Sequence, residues 1–211
     1  MKKFVYTLAL MLFFALNVQA DTMPFYKNSI PQGVLGFFQA NNELVLHSEP
    51  DENSNIIKKM QFTYNHETMP ESVFAVLFND KKLGFLYVSD IGDDDWVQVI
   101  YDKQTRAKGW VKSEDIMQFL PWVNFYNLYG KKYGLRLMKD APDNIKDLHA
   151  KSESDSQIVS KINYPKQIKL TAIRGNWALV TVLDLDKAPK TGYMRWRGDD
   201  GTIYAFPNIR P

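Results

Sequence analysis

Few residues of this chain are of a type and spacing that could do chemistry. His66-Glu67-Thr68-Met69-Pro70 begins like the helical zinc-protease motif, which needs a second histidine four residues on so that both ligands share one helix face. Pro70 stands there instead, and the motif is discarded. The chain has no cysteine, which removes thiol nucleophiles, disulfides and thiolate metal ligands together. It also lacks a G-x-S-x-G nucleophile turn and a phosphate-binding glycine loop. His47 and His149 have no acidic or histidine partner at a ligating spacing, so both read as strand-end residues facing solvent. Asp93-Asp94-Asp95 and Asp199-Asp200 fit no standard calcium loop and read as solvated turns ahead of strands. No catalytic set, metal site or cofactor is expected, and the chain reads as a non-enzyme.

Aromatic side chains remain. Trp96 and Trp177 suit a core, while Trp110, Tyr193 and Trp196 lie on or after a closing strand, where either core or surface can hold them. Small binding modules use exposed rings as platforms for peptides or sugars. Arg195 and Arg197 flank Trp196 at alternate positions, so a strand places both opposite the ring, where they can engage a carboxylate. The candidate ligand-binding set is therefore Trp110, Tyr193, Arg195, Trp196 and Arg197. A second aromatic group, Trp122, Phe125, Tyr126 and Tyr129, sits in a linker over residues 119–133. A flexible tether would be polar, so these rings are expected to pack between two domains and fix their orientation. Tyr87 and Trp196 suit the same seal. Burying two or three rings would contribute several kcal/mol.

The elements that position these residues come from an internal repeat, the feature to settle before any other. Residues 46–60, LHSEPDENSNIIKKM, lie without a gap over residues 148–162, LHAKSESDSQIVSKI. Identical pairs are Leu46/Leu148, His47/His149, Ser54/Ser156, Ile56/Ile158 and Lys59/Lys161. Apolar ends around a polar Ser/Asp/Glu/Asn run predict strand, loop and strand. Upstream, residues 36–40 and 43–47 predict a hairpin through Asn41-Asn42. Downstream, residues 72–78 and 83–88 predict a hairpin around Asn79-Asp80-Lys81-Lys82, part of an extra segment in the first copy between Met60 and Trp96. Residues 113–120 allow one turn of helix. Gly109 and Gly192 suit the bends of a small barrel.

The order of elements resembles the bacterial SH3-like domain family: a leucine strand entering a Ser/Pro/Asn-rich loop, an Ile/Val strand, a D/N-x-W-x-x-V strand and a closing G-W-V. The first copy carries Asp94-Asp95-Trp96-Val97-Gln98-Val99 and Gly109-Trp110-Val111. The second carries Asn176-Trp177-Ala178-Leu179-Val180 and Gly192-Tyr193-Met194, with Tyr at the closing Trp position. The resemblance covers residues 44–117 and 147–196. It implies an all-β fold of two small SH3-like barrels in tandem, residues 21–118 and 134–211, with peptidoglycan peptides or an envelope protein as ligand. Relatives are often joined to a cysteine peptidase domain, for which this chain has no nucleophile.

Lys2 and Lys3, an apolar run to about Leu16, and Val18-Gln19-Ala20 form a secretory signal pattern over residues 1–20. The run is too short to span a bilayer, and no later stretch does so, so a periplasmic or secreted protein is expected. Losing the two lysines leaves basic and acidic side chains equal in number, which argues against nucleic-acid binding. The expected function is non-catalytic recognition in the cell envelope. The alternative is an interaction or regulatory subunit docking on a secreted enzyme or toxin through the hairpin around Asn79 to Lys82. Oligomeric state is open.

Overall fold

The computed structural model describes residues 23–40, 43–62, 72–78, 81–114, 118–163, 165–184 and 188–209. The signal segment, the Asn41-Asn42 turn, His66-Glu67 and the Asn79-Asp80 tip lie outside them. The first half forms β1 (Gly36–Gln39), β2 (Glu43–His47), β3 (Ile56–Gln61), β4 (Val76–Phe78), β5 (Leu83–Ile91), β6 (Trp96–Asp102), β7 (Ala107–Lys112) and β8 (Phe119–Pro121). The second half forms β9 (Leu135–Leu137), β10 (Asp147–His149), β11 (Ile158–Lys161), β12 (Pro165–Arg174), β13 (Trp177–Asp184), β14 (Lys190–Arg195) and β15 (Ala205–Pro207). The chain is all-β, with a few short helical turns.

The two sheets repeat each other strand for strand. Their orders are β3-β2-β7-β6-β5-β1-β8 and β11-β10-β14-β13-β12-β9-β15, with β4 added on β5 in the first. The repeat thus extends well beyond the block of identical residues. Neither sheet closes into the expected barrel. Among the described residues β3 and β8 end one path and β11 and β15 the other. The reason lies in the edge strands: β3 leaves Ile56, Ile57, Lys58 and Lys59 exposed, while β8 and β15 are three residues long. The expected β1–β2 hairpin is not a pair either. β1 lies between β5 and β8, and β2 between β3 and β7. Phe37 and Phe38 explain this, because both faces of β1 are buried and such a strand belongs inside a sheet.

That double burial organises the whole molecule. Alternate residues of a strand face opposite ways. Phe38, Leu86 and Val88 enter a core of the first half with Leu44, Leu46, Val97 and Val99. Phe37, Phe85 and Tyr87, on the other face, enter a core shared with the second half, which holds Leu148, Ile168, Val180, Met194 and Phe206. The segment expected as a linker supplies the seam. It is helical over residues 122–133, α-helical at Trp122–Phe125 and Lys131–Tyr133 and π-wound at Tyr126–Gly130. Trp122, Phe125, Tyr126 and Tyr129 fall at i, i+3, i+4 and i+7, the spacing of one helix face, and all four are buried. The Phe37 ring centre lies 4.3 Å from that of Phe125, 5.0 Å from Trp122 and 6.0 Å from Phe206. Gly134 ends the helix at φ 77°, where a Cβ would stand 2.6 Å from the Ile168 carbonyl oxygen. The turn of helix allowed over residues 113–120 is replaced, from Phe119, by β8; residues 115–117 lie outside the described set.

Gly109 and Gly192 act by size rather than by bending. A Cβ on Gly109 would lie 3.0 Å from Leu46 Cβ, and one on Gly192 2.9 Å from Leu148 Cβ. The closing strand of each half therefore lets the leucine strand cross it at contact distance. The N-terminal lead belongs to the second half by its contacts. The Lys139 amide donates to the Phe25 carbonyl at 2.9 Å, and Arg136 stacks 4.4 Å over the Phe25 ring and donates to the Pro24 carbonyl.

Candidate functional site

Each half carries a groove at the same place in its sheet, built by the repeated block. The loop after β2 is held by Ser54, whose hydroxyl donates to the Glu49 carbonyl at 3.0 Å and accepts from the Glu49 amide at 3.4 Å. Ser156 does the same after β10, donating to the Lys151 carbonyl at 3.2 Å and accepting its amide at 3.0 Å. Ladder bonds from Ser48 to Asn55 and from Ala150 to Gln157, both 2.9 Å, continue the strands into these loops. The shared serines thus set the loop shape.

Beneath each loop a histidine meets a tryptophan edge-to-face. The ring centres are 5.3 Å apart for His47 and Trp96, and 5.1 Å for His149 and Trp177. In register, His47 stands opposite Trp110 and His149 opposite Tyr193. The closing strand then ends in a cation, Lys112 in one half and Arg195 in the other, each ion-paired with a carboxylate, Glu52 and Asp199. These pairs are solvent-exposed on the acidic side, so they orient side chains more than they stabilise the fold.

The second groove encloses about 560 Å³ between His149, Trp177, Arg195, Asp147, Asp199, Asp200 and Tyr204. Arg195 is held there through all three nitrogens: its Nε donates to the Arg197 carbonyl at 3.2 Å, one terminal nitrogen to Ser154 Oγ at 3.4 Å, and the other to Asp199. Its guanidinium also lies 5.7 Å from the Trp177 ring centre. Hydrogen bonds from Arg195 and Asn176 hold the Asp199 carboxyl below its usual range, and the Thr202 amide and hydroxyl do so for Asp200. Both carboxylates are charged at neutral pH. The first groove encloses about 460 Å³ between Phe38, His47, Trp96, Glu43, Glu52, Lys112 and Glu114. Lys112 holds the Glu52 carboxyl down, and Glu52 pushes the Lys112 ammonium up. Among the described residues, three carboxylates and one cation line each groove.

Of the residues expected to bind ligand, Arg195 lines one of these two grooves and the others line neither. Its cation is neutralised by Asp199, which corrects its expected role as a free partner for a carboxylate. Trp196 is a correction too: it is 1% exposed, its ring centre 4.3 Å from that of Tyr126, and its Nε1 donates to the Gly175 carbonyl at 3.0 Å. Alternation explains it, since Met194 and Trp196 share the inner face and Arg195 the outer. Trp110 and Tyr193 are half-buried, Trp110 packing over Gly92 and Tyr193 under Arg174 at 5.7 Å. Arg197 is half-buried, and its Nε has no hydrogen-bond partner among the described residues. Trp122, Phe125, Tyr126 and Tyr129 lie in the seam, where Trp122 Nε1 donates to the Val34 carbonyl at 2.7 Å and the Tyr126 hydroxyl to the Ala205 carbonyl.

His47 and His149, expected to face solvent, are half-buried and 9% exposed respectively. The signal that could have found them was the repeat itself, which keeps a histidine in one strand and a tryptophan in another in both copies. The strands flanking the expected contact hairpin are largely buried in β4 and β5, so they build the cores rather than project. No described helix is long and apolar enough to cross a membrane, and the described residues hold no cluster of three metal-ligating side chains. No family model and no curated protein matches the chain.

Proposed function

We propose that this chain is a non-catalytic recognition module of the bacterial cell envelope, exported through its N-terminal signal and bound to peptidoglycan or an envelope protein through its paired grooves. Its halves are two open-sheet variants of an SH3-like domain. The observation that carries the reading is the duplication of one groove. His47, Trp96 and Lys112 recur as His149, Trp177 and Arg195 on corresponding strands, each under a serine-stapled loop. A pair of equivalent concave sites on one clamped body suits a repetitive ligand, because engaging the second site costs little once the first is filled. Peptidoglycan is such a ligand.

Co-sedimentation of the chain from Asp21 onward with purified peptidoglycan, at low and moderate salt and with chitin as the control, tests the proposal. Retention by peptidoglycan alone is the expected result. Absence of the chain from the pellet at both salts overturns a wall ligand.

A further inference from the structure

We infer that Arg136 and Arg197 form an anion site for a phosphate group, as free phosphate or a phosphate monoester. The site is separate from the two grooves, whose linings include neither arginine, and it does not depend on a wall ligand.

The two arginines stand on either side of one segment of the second half. Arg136, in β9, lies opposite Phe206 of β15. On the other side of that segment the Tyr204 and Ala205 amides donate to the Trp196 carbonyl at 2.8 and 3.3 Å, and Arg197 pairs with Ile203. Both charges reach the same buried phenol, Tyr126, and favour its ionised form. Burial outweighs them and keeps Tyr126 neutral, with its hydroxyl donating to the Ala205 carbonyl. The phenol therefore supplies no counter-charge.

No carboxylate supplies one either. Among the described residues neither arginine has an acidic partner at ion-pair distance, whereas Lys146, Lys190 and Arg195, also half-buried, each hold one. Asp199 and Asp200, in the turn after Arg197, are held by Arg195 and Thr202 instead. The second observation is independent of charge. The Nε of Arg136 and that of Arg197 are both out of contact with solvent and without a hydrogen-bond partner among the described residues. Water does not reach these atoms, so hydration does not offset their burial. Phe25 covers the Arg136 guanidinium at 4.4 Å, and burial pushes that group below its ordinary range. Two poorly solvated like charges around one phenol are a costly arrangement, and orphaned buried donors call for an ion to explain them. A guanidinium does not escape by losing its proton.

The charge balance selects the ligand. Two guanidiniums are neutralised by a phosphate, close to −2 at neutral pH, and only half neutralised by a carboxylate. Arg136 spends one terminal nitrogen on the Pro24 carbonyl, which leaves its other one for a phosphate oxygen. Both terminal nitrogens of Arg197 are without a partner among the described residues, and the guanidinium fork matches phosphate oxygens. Gly201 leaves room there, since a Cβ would stand 3.3 Å from one of them. Lys139, exposed and 5.4 Å from the other side of the Phe25 contact, adds positive field at the Arg136 end.

Thermal denaturation of the chain from Asp21 in phosphate-free buffer, titrated with inorganic phosphate, phenyl phosphate or acetate at matched ionic strength, tests the site. Both phosphates are expected to raise Tm saturably, by about 3–5 °C at ten times Kd, with acetate inert. The tighter of the two tells a free ion from an ester. Arg197→Gln removes one charge and keeps a polar side chain, and it is expected to abolish the rise. The Nε–H resonances of Arg136 and Arg197 in ¹H–¹⁵N spectra give a readout that needs no variant, and both are expected to move with phosphate and not with acetate. A phosphate effect no larger than that of acetate, Nε–H signals that stay in place, or a rise that survives Arg197→Gln would each overturn the inference.

Discussion

Replacing Trp196 by Ala separates two roles for this ring, because one lies in the fold and the other at a surface. The side chain is 1% exposed and packs on Tyr126 and Trp122, ring centres 4.3 and 6.4 Å away. A buried tryptophan removes about 200 Å² from water, worth about 5 kcal/mol at ~25 cal/mol per Å². Measured large-to-small core substitutions of this kind cost about 3–5 kcal/mol. The Gly175 carbonyl also loses its indole donor, a further ~1 kcal/mol. For a chain of this size each kcal/mol lowers Tm by about 2–4 °C, so Trp196→Ala is expected to lower it by about 10 °C or more. Urea unfolding followed by far-UV circular dichroism, with m compared to the parent, measures the change. Trp196→Phe, which retains ring contact with Tyr126, is expected to recover part of it. A shift below about 1 kcal/mol with unchanged m would refute the packing argument and return the ring to the surface.

Two further predictions come from the same packing. Gly109→Ala and Gly192→Ala each place a Cβ at about van der Waals overlap with Leu46 or Leu148 and are expected to cost about 1–3 kcal/mol apiece. Near-equal losses in thermal denaturation would reflect the equivalence of the two crossings, and a neutral effect in either half would contradict it. Burial pushes the phenols of Tyr126, Tyr87 and Tyr129 up, so the folded chain keeps protons that the unfolded chain releases above pH ~10. Stability is therefore full below pH ~10 and falls above it, by about 1.4 kcal/mol per pH unit for each phenol still protonated. Tyr126→Phe is expected to flatten that fall in alkaline unfolding titrations, and an unchanged slope would remove Tyr126 from the cause.

The repeat was legible because its determinants are local. Ser54 and Ser156 staple loops to residues five positions away, and the leucines that cross Gly109 and Gly192 sit beside them in the block. The burial of Trp122, Phe125, Tyr126 and Tyr129 is legible from their aromatic density, but their helix-face spacing is a signal that the reading of a linker passes over. Other features had no local signal. Trp196 could be placed only by knowing that Phe37 and the connecting helix build a second core against β14, a contact between distant parts of the chain. The grooves were hidden for the same reason. His149 meets Trp177 from another strand, and Asp199 meets Arg195 only after the chain has turned at Gly198. Barrel closure depended on edge strands whose exposed Ile56, Ile57, Ile158 and Val159 look like core residues in sequence.

On the proposed function, one recognition site is built twice and both copies act on the same ligand. Glu52→Lys in the first groove and Asp199→Lys in the second reverse exposed carboxylates, 67% and 82% accessible, without touching either core. Peptidoglycan co-sedimentation of the parent, the two single variants and the double variant is the direct test. Partial loss in each single variant and a disproportionate loss in the double are expected, as bivalent binding collapses. Equal retention of all four proteins would contradict it.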